Sequence, residues 1–117
     1  MKLSAFKEFH FSAAHCLDID GHRCSNVHGH NYKVRIEISG QADENGMVID
    51  FGEIKTHVKP LIDQLDHTNL NEAFNGKPTT SEMISIWFYE TLKTKIPGIS
   101  KIEVRETDTC GAVLEIS

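Results

Sequence analysis

Apolar and polar positions alternate over the first fifteen residues. Leu3, Ala5, Phe9, Phe11, Ala13 and His15 share one parity, with Lys7 as the exception, and Ser4, Glu8, His10 and Ser12 hold the other, with Phe6 as the exception. A period of two sustained this far predicts a long strand, Leu3 to His15, whose apolar face ends on a histidine. One parity also joins His28, His30, Tyr32, Val34, Ile36 and Ile38, so a second strand from about Asn31 to Ser39 has two histidines continuing its buried face. Asn45-Gly46 within the turn Asp43-Glu44-Asn45-Gly46 is a hairpin signal, and Met47 to Ile49 reads as a short return strand.

The period then changes. Ile54, Val58, Leu61, Ile62 and Leu65 form a helical stripe, and Asp50 with Glu53 supplies a capping-box-like start. Pro60 lies inside this stretch and removes one helical hydrogen bond, which predicts a kink or a break. Residues 66 to 77 read as a polar loop. Thr79 with Glu82 forms a second capping box, opening a helix with Met83, Ile84, Trp87, Phe88 and Leu92 as its apolar positions and Pro97-Gly98 as its stop. Two strands close the chain, Lys101 to Glu106 and Ala112 to Ile116, around a turn at Asp108-Thr109-Cys110-Gly111. The order predicts an α+β fold: an antiparallel β-sheet with two helices on one face. Ser4, Glu8, His10, Lys33, Arg35, Glu37, Glu103 and Arg105 make the other face polar enough for water.

Composition narrows the class. The 117 residues suit one domain, 1–117, and an apolar fraction of 39% with 25% charged residues is that of an ordinary globular chain. A net charge of -5 argues against nucleic acid as a partner, because phosphate binding needs a clustered basic face. No stretch reaches membrane-spanning length and the first residues lack the apolar run of a signal peptide, so no membrane association and a cytoplasmic location are expected. Three cysteines, Cys16, Cys24 and Cys110, are too few for a disulfide framework and agree with a reducing compartment.

The chemistry concentrates where the strand faces end. His28 and His30 flank Gly29 and point the same way on an extended backbone, so they can share one metal ion. Alone, such a pair more often faces solvent or packs; its place on a buried face, together with His15, favours ligation, because unpaired buried imidazoles are costly. Cys24 could be an inert core thiol, a fourth ligand, or a nucleophile or base whose pKa falls beside a cation. Asp66-His67 could simply end a helix, with the histidine at the negative end of the dipole. Glu106 follows Ile102 and Val104 on the inward face, and an unpaired acid there suits a ligand bearing N–H donors.

Taken together these residues resemble the tunnelling-fold pterin synthases, the family of 6-pyruvoyl tetrahydropterin and 6-carboxytetrahydropterin synthases. The resemblance runs nearly end to end: Phe11-Ser12-Ala13-Ala14-His15, Cys24-x-x-x-His28-Gly29-His30-Asn31-Tyr32-Lys33-Val34, Leu65-Asp66-His67-x-x-Leu70-Asn71, Pro78-Thr79-Thr80-Ser81-Glu82 and Val104-x-Glu106-Thr107. It implies zinc on His15, His28 and His30, Cys24 as proton-abstracting thiolate, Asp66 and His67 as a second acid–base pair, and Glu106 gripping the pterin, with Thr80, Ser81 and Glu82 also toward substrate. It further implies a homohexamer, a dimer of trimers closing into a β-barrel, with active sites shared between subunits. The three-residue gap between Cys24 and His28 resembles the bacterial carboxy-forming enzymes of queuosine precursor synthesis, which act on 7,8-dihydroneopterin triphosphate. A pyruvoyl-forming lyase and a non-enzymatic module with Cys24 as fourth zinc ligand are the alternatives.

Overall fold

The computed structural model describes residues 2–17 and 26–117. Five strands and three helices follow in the order β1 (Leu3–His15), β2 (His28–Gly40), α1 (Phe51–Leu65), β3 (Thr68–Asn69), α2 (Leu70–Ala73), α3 (Ser81–Leu92), β4 (Ile99–Arg105) and β5 (Gly111–Glu115). One sheet holds all five strands in the order β3-β1-β2-β4-β5. β1 and β2 pair antiparallel along their whole length, from Leu3 opposite Gly40 to His15 opposite His28.

The sheet is mixed rather than purely antiparallel, since β3 runs parallel to β1 through Ala13 and Ala14. The predicted return strand at Met47 to Ile49 does not form; a turn closed by Asp43 N–H to Met47 O at 2.9 Å occupies this region, with Gly46 at φ +81. The third strand lies instead in the stretch read as a polar loop, and α2 follows it, so there are three helices rather than two.

Alternation decides which side the helices cover. Phe9, Phe11, Ala13, Tyr32, Val34, Ile36, Ile38, Ile102 and Val104 are buried on one face, against Ile54, Val58, Leu61, Ile62 and Leu65 of α1 and Ile84, Phe88 and Leu92 of α3. α1 packs on β1, and α3 on β4 and β5. The other face carries the pairs Lys33–Glu8 and Arg35–Glu37, and Arg35 lies 3.6 Å over the ring of Phe6, the apolar residue of that parity.

Helix α1 starts where its cap is: the Asp50 carboxylate accepts from Gly52 N–H at 2.7 Å. It runs unbroken through Pro60, which is exposed rather than part of the buried stripe. The carbonyl freed by proline, that of Thr56, belongs to an exposed residue and water can satisfy it, so the break is not enforced. The cap of α3 is Thr80, whose hydroxyl accepts from Met83 N–H, so the box expected between Thr79 and Glu82 gives way to one register later. At the β4–β5 turn, glycine is required: a Cβ on Gly111 would lie 2.4 Å from Val104 O. No helix among the described residues is long and apolar enough to cross a membrane.

Candidate metal centre

The antiparallel register brings the histidines together. His15 ends β1 directly opposite His28, which begins β2, and His30 follows two residues on, opposite Ala13. All three project toward the helix-covered side, because they share parity with the core residues of their strands. Their rings meet edge to face, with centroids 4.7 Å apart for His15–His28, 5.2 Å for His15–His30 and 4.7 Å for His28–His30. One nitrogen from each lies within 4.8 Å of the other two.

Hydrogen bonds at the far sides of the rings select the tautomer. The His15 Nδ1–H donates to the Thr79 carbonyl at 3.0 Å, with Thr79 Oγ1 at 3.1 Å, and the His28 Nδ1–H donates to the Asn26 carbonyl at 2.7 Å. Each Nε2 therefore presents a lone pair. The Nε2 atoms of His15, His28 and His30 are all buried, and none has a hydrogen-bond partner among the described residues. Three converging imidazole nitrogens fit a cation, and three neutral imidazoles are a donor set suited to a catalytic transition metal. Burial lowers the pKa of His15 and of His30 from the ordinary 6.5, opposed in His15 by the Thr79 carbonyl and then by Glu106, and in His30 by Glu106. Both changes keep the imidazoles in the ligating form.

Glu106 lies just past the end of β4 and reaches this cluster. Its Oε1 is 3.9 Å from His15 Nε2 and its Oε2 is 3.8 Å from His30 Nε2, with the side chain 25% exposed. It is thus partly wet and faces imidazoles, rather than being an isolated acid in the core. Tyr32 forms the floor: it is fully buried, stacked on Phe11 at 4.7 Å, with ring centroids 5.5 Å from His30 and 6.0 Å from His15. Burial, and then the Glu106 charge, pushes its phenol pKa well up, so it is a neutral donor.

The Asp66-His67 pair sits beside β1. Asp66 ends α1, and its Oδ1 accepts the Ser12 N–H at 2.9 Å while Oδ2 lies 3.0 Å from His67 Nδ1. The Ser12 N–H bond, foremost, and then His67 lower the Asp66 pKa. His67 adopts φ +59, a left-handed backbone held by its N–H donating to Ser12 O, and its side chain is 82% exposed. His67, Thr68, Asn69, Ser12, Ala14, Gly29, His30 and Asn31 line a shallow groove of about 530 Å³ that joins this pair to the His30 end of the cluster.

Thr80 caps α3, Ser81 is buried with a hydroxyl lacking a partner among the described residues, and Glu82 is exposed. Cys24 lies outside the described residues. Sequence reasoning missed Thr79 as the partner of His15, having spent its hydroxyl on a capping box. It also missed Asn71, whose amide bonds both the N–H and the carbonyl of Cys16, at 2.8 and 2.9 Å, and so fixes the backbone just beyond His15. Its signal was its place in the stretch Leu65-Asp66-His67-x-x-Leu70-Asn71 of the resemblance, which carried no role for it.

Known proteins resemble this chain in sequence and fold. The sequence model of the family described as 6-pyruvoyl tetrahydropterin synthase matches residues 4–116. A 6-carboxy-5,6,7,8-tetrahydropterin synthase of Synechocystis is 37% identical, covering 92% of this chain and 88% of its own. A dihydroneopterin monophosphate aldolase of Pyrococcus furiosus is 30% identical over 98% of this chain and 99% of its own. The solved structure of Caenorhabditis elegans 6-pyruvoyl tetrahydropterin synthase superposes with a TM-score of 0.89 at 27% identity, covering 100% of this chain and 97% of that one.

Proposed function

The chain belongs to the 6-pyruvoyl tetrahydropterin synthase family, and from that premise we propose that it is a zinc-dependent 6-carboxy-5,6,7,8-tetrahydropterin synthase. In this reading it converts 7,8-dihydroneopterin triphosphate and one water to 6-carboxytetrahydropterin, acetaldehyde and triphosphate, as a cytoplasmic step toward queuosine-type deazapurines. The observation that carries it is the convergence of three buried Nε2 atoms without a partner among the described residues. The carboxy product is supported by the Synechocystis relative and by the three residues between Cys24 and His28.

His15, His28 and His30 would hold the ion, which when bound supplies Lewis acidity to the hydroxyl oxygens of the substrate side chain. Thr79 and the Asn26 carbonyl keep two of those imidazoles in the ligating tautomer. Cys24 acts as the thiolate that takes a proton from the side chain. Asp66, whose carboxylate accepts the Ser12 N–H, orients His67, which is exposed to the groove and serves with it as the second acid–base pair. Glu106 accepts the ring N–H and exocyclic amino donors of the pterin, and Thr80, Ser81 and Glu82 flank it at the start of α3.

Zinc-loaded protein incubated with 7,8-dihydroneopterin triphosphate, followed by mass analysis, tests this. The reading expects 6-carboxytetrahydropterin with acetaldehyde. The 6-pyruvoyl product, which the superposition on the Caenorhabditis enzyme favours, would replace the carboxy assignment, and no turnover would overturn both.

A further inference from the structure

The position of Glu106 shows more than a substrate contact. With Nδ1–H of His15 committed to Thr79, the His15 Nε2 offers a lone pair toward Glu106 Oε1 at 3.9 Å, and Oε2 stands 3.8 Å from the partnerless Nε2 of His30. The lone pair of His15 Nε2 thus faces one carboxylate oxygen, and the other oxygen stands too far from His30 Nε2 for a hydrogen bond. A single divalent ion relieves this opposition. Ligand atoms around a four-coordinate zinc stand roughly 3.3 Å apart, from metal–ligand distances of about 2.0–2.2 Å. Glu106 lies outside the set of ligand atoms within 4.8 Å of one another, which holds the three histidines, so ligation needs an inward movement of a carboxylate that is a quarter exposed and carried just beyond the end of a strand.

We infer that Glu106 is an exchangeable fourth ligand: its carboxylate closes the three-histidine site at rest and leaves it for the N–H donors of an arriving ring, opening the metal position as substrate binds. The two uses compete for the same oxygens. The site is therefore closed, in the manner of a structural zinc centre, when the ring is absent, and open when it is engaged, which limits adventitious metal-bound water chemistry in the empty enzyme. The exchange half rests on the pterin reading above; the ligation half rests on the geometry alone.

The test uses the intact chain with metal alone and then with 6-methylpterin, a ring without the hydroxylated side chain. Zinc affinity, measured by competition with a chromophoric chelator, is expected to fall about 10- to 100-fold in Glu106→Ala, and less in Glu106→Gln, which keeps one weaker oxygen donor. Cobalt-loaded wild type and Glu106→Ala are expected to differ in their visible d–d bands, because water replaces the carboxylate. Adding 6-methylpterin should move the wild-type bands toward those of the variant. Equal zinc affinities and superimposable cobalt spectra would overturn ligation. Distinct spectra that 6-methylpterin binding does not move would overturn the exchange. Circular dichroism on both variants separates either result from loss of fold, and a different reaction product would leave the zinc comparison untouched.

Discussion

His15 and Thr79, 64 residues apart, are joined by a hydrogen bond of 3.0 Å from the imidazole Nδ1–H to the backbone carbonyl, with the threonine hydroxyl at 3.1 Å from the same nitrogen. This fixes the ring that leads the metal site from just before the start of α3. Thr79→Val removes the hydroxyl and keeps the branched shape and the carbonyl. Zinc affinity should weaken by less than the roughly tenfold that marks the low end of outer-shell substitutions, with the fold unchanged. A loss beyond a hundredfold by chelator competition would mean that the hydroxyl, rather than the carbonyl, orients the ring.

Burial lowers the pKa of His15 and His30 from 6.5. The unfolded chain therefore binds protons that the folded metal-free chain refuses. The associated stability is fully present above about pH 6.5 and is lost as pH falls through the lowered folded values. Melting of the metal-free protein should be flat from neutral pH upward and decline below pH 6.5, and zinc should move the onset of that decline to lower pH by holding the rings neutral. A metal-free melting temperature that rises on acidification through this window contradicts the assignment.

Glu106→Gln preserves shape but exchanges an acceptor for a donor. The variant should fold and bind zinc through its three histidines, while kcat/KM falls roughly ten- to a hundredfold, the cost of a charge-assisted bond worth about 1.5–3 kcal/mol. Wild-type kinetics, or loss of fold together with activity, would assign the acid a structural role.

The sheet leaves edges open. β3 covers only Ala13 and Ala14 of β1, and β5 is the other margin, with Leu3 and Val113 about half exposed on these two strands. Unpaired strand edges with apolar side chains are normally covered by another chain. We expect a homo-oligomer, six subunits as two rings closing into a barrel. Sedimentation at micromolar concentration should give a hexamer, and a monomer would rule this assembly out.

Much of this was legible because it rests on long periodic segments. β1 was readable to its last residue, since thirteen alternating positions leave no other register, and the apolar stripe of α1 reads directly onto its buried residues. β3 and α2, of two and four residues, are too short to carry a period, and they exist because Thr68 and Asn69 lie against the end of β1 while Asn69 caps the turn that follows. Met47 to Ile49 has strand composition but no partner, because the turn at Asp43 is closed by its own side chain and backbone. At the site, the sequence assembled the three histidines by parity. It could not place Glu106 beside them: its parity marked it as inward, but its distance from His15 and His30 depends on how β4 ends against β2.

Metal stoichiometry of wild type and His28→Ala, measured by elemental analysis after dialysis against zinc, decides whether the three Nε2 atoms form one metal site. One zinc per chain is expected in the wild type, with loss of most of it in the variant. Full zinc occupancy in folded His28→Ala would contradict it.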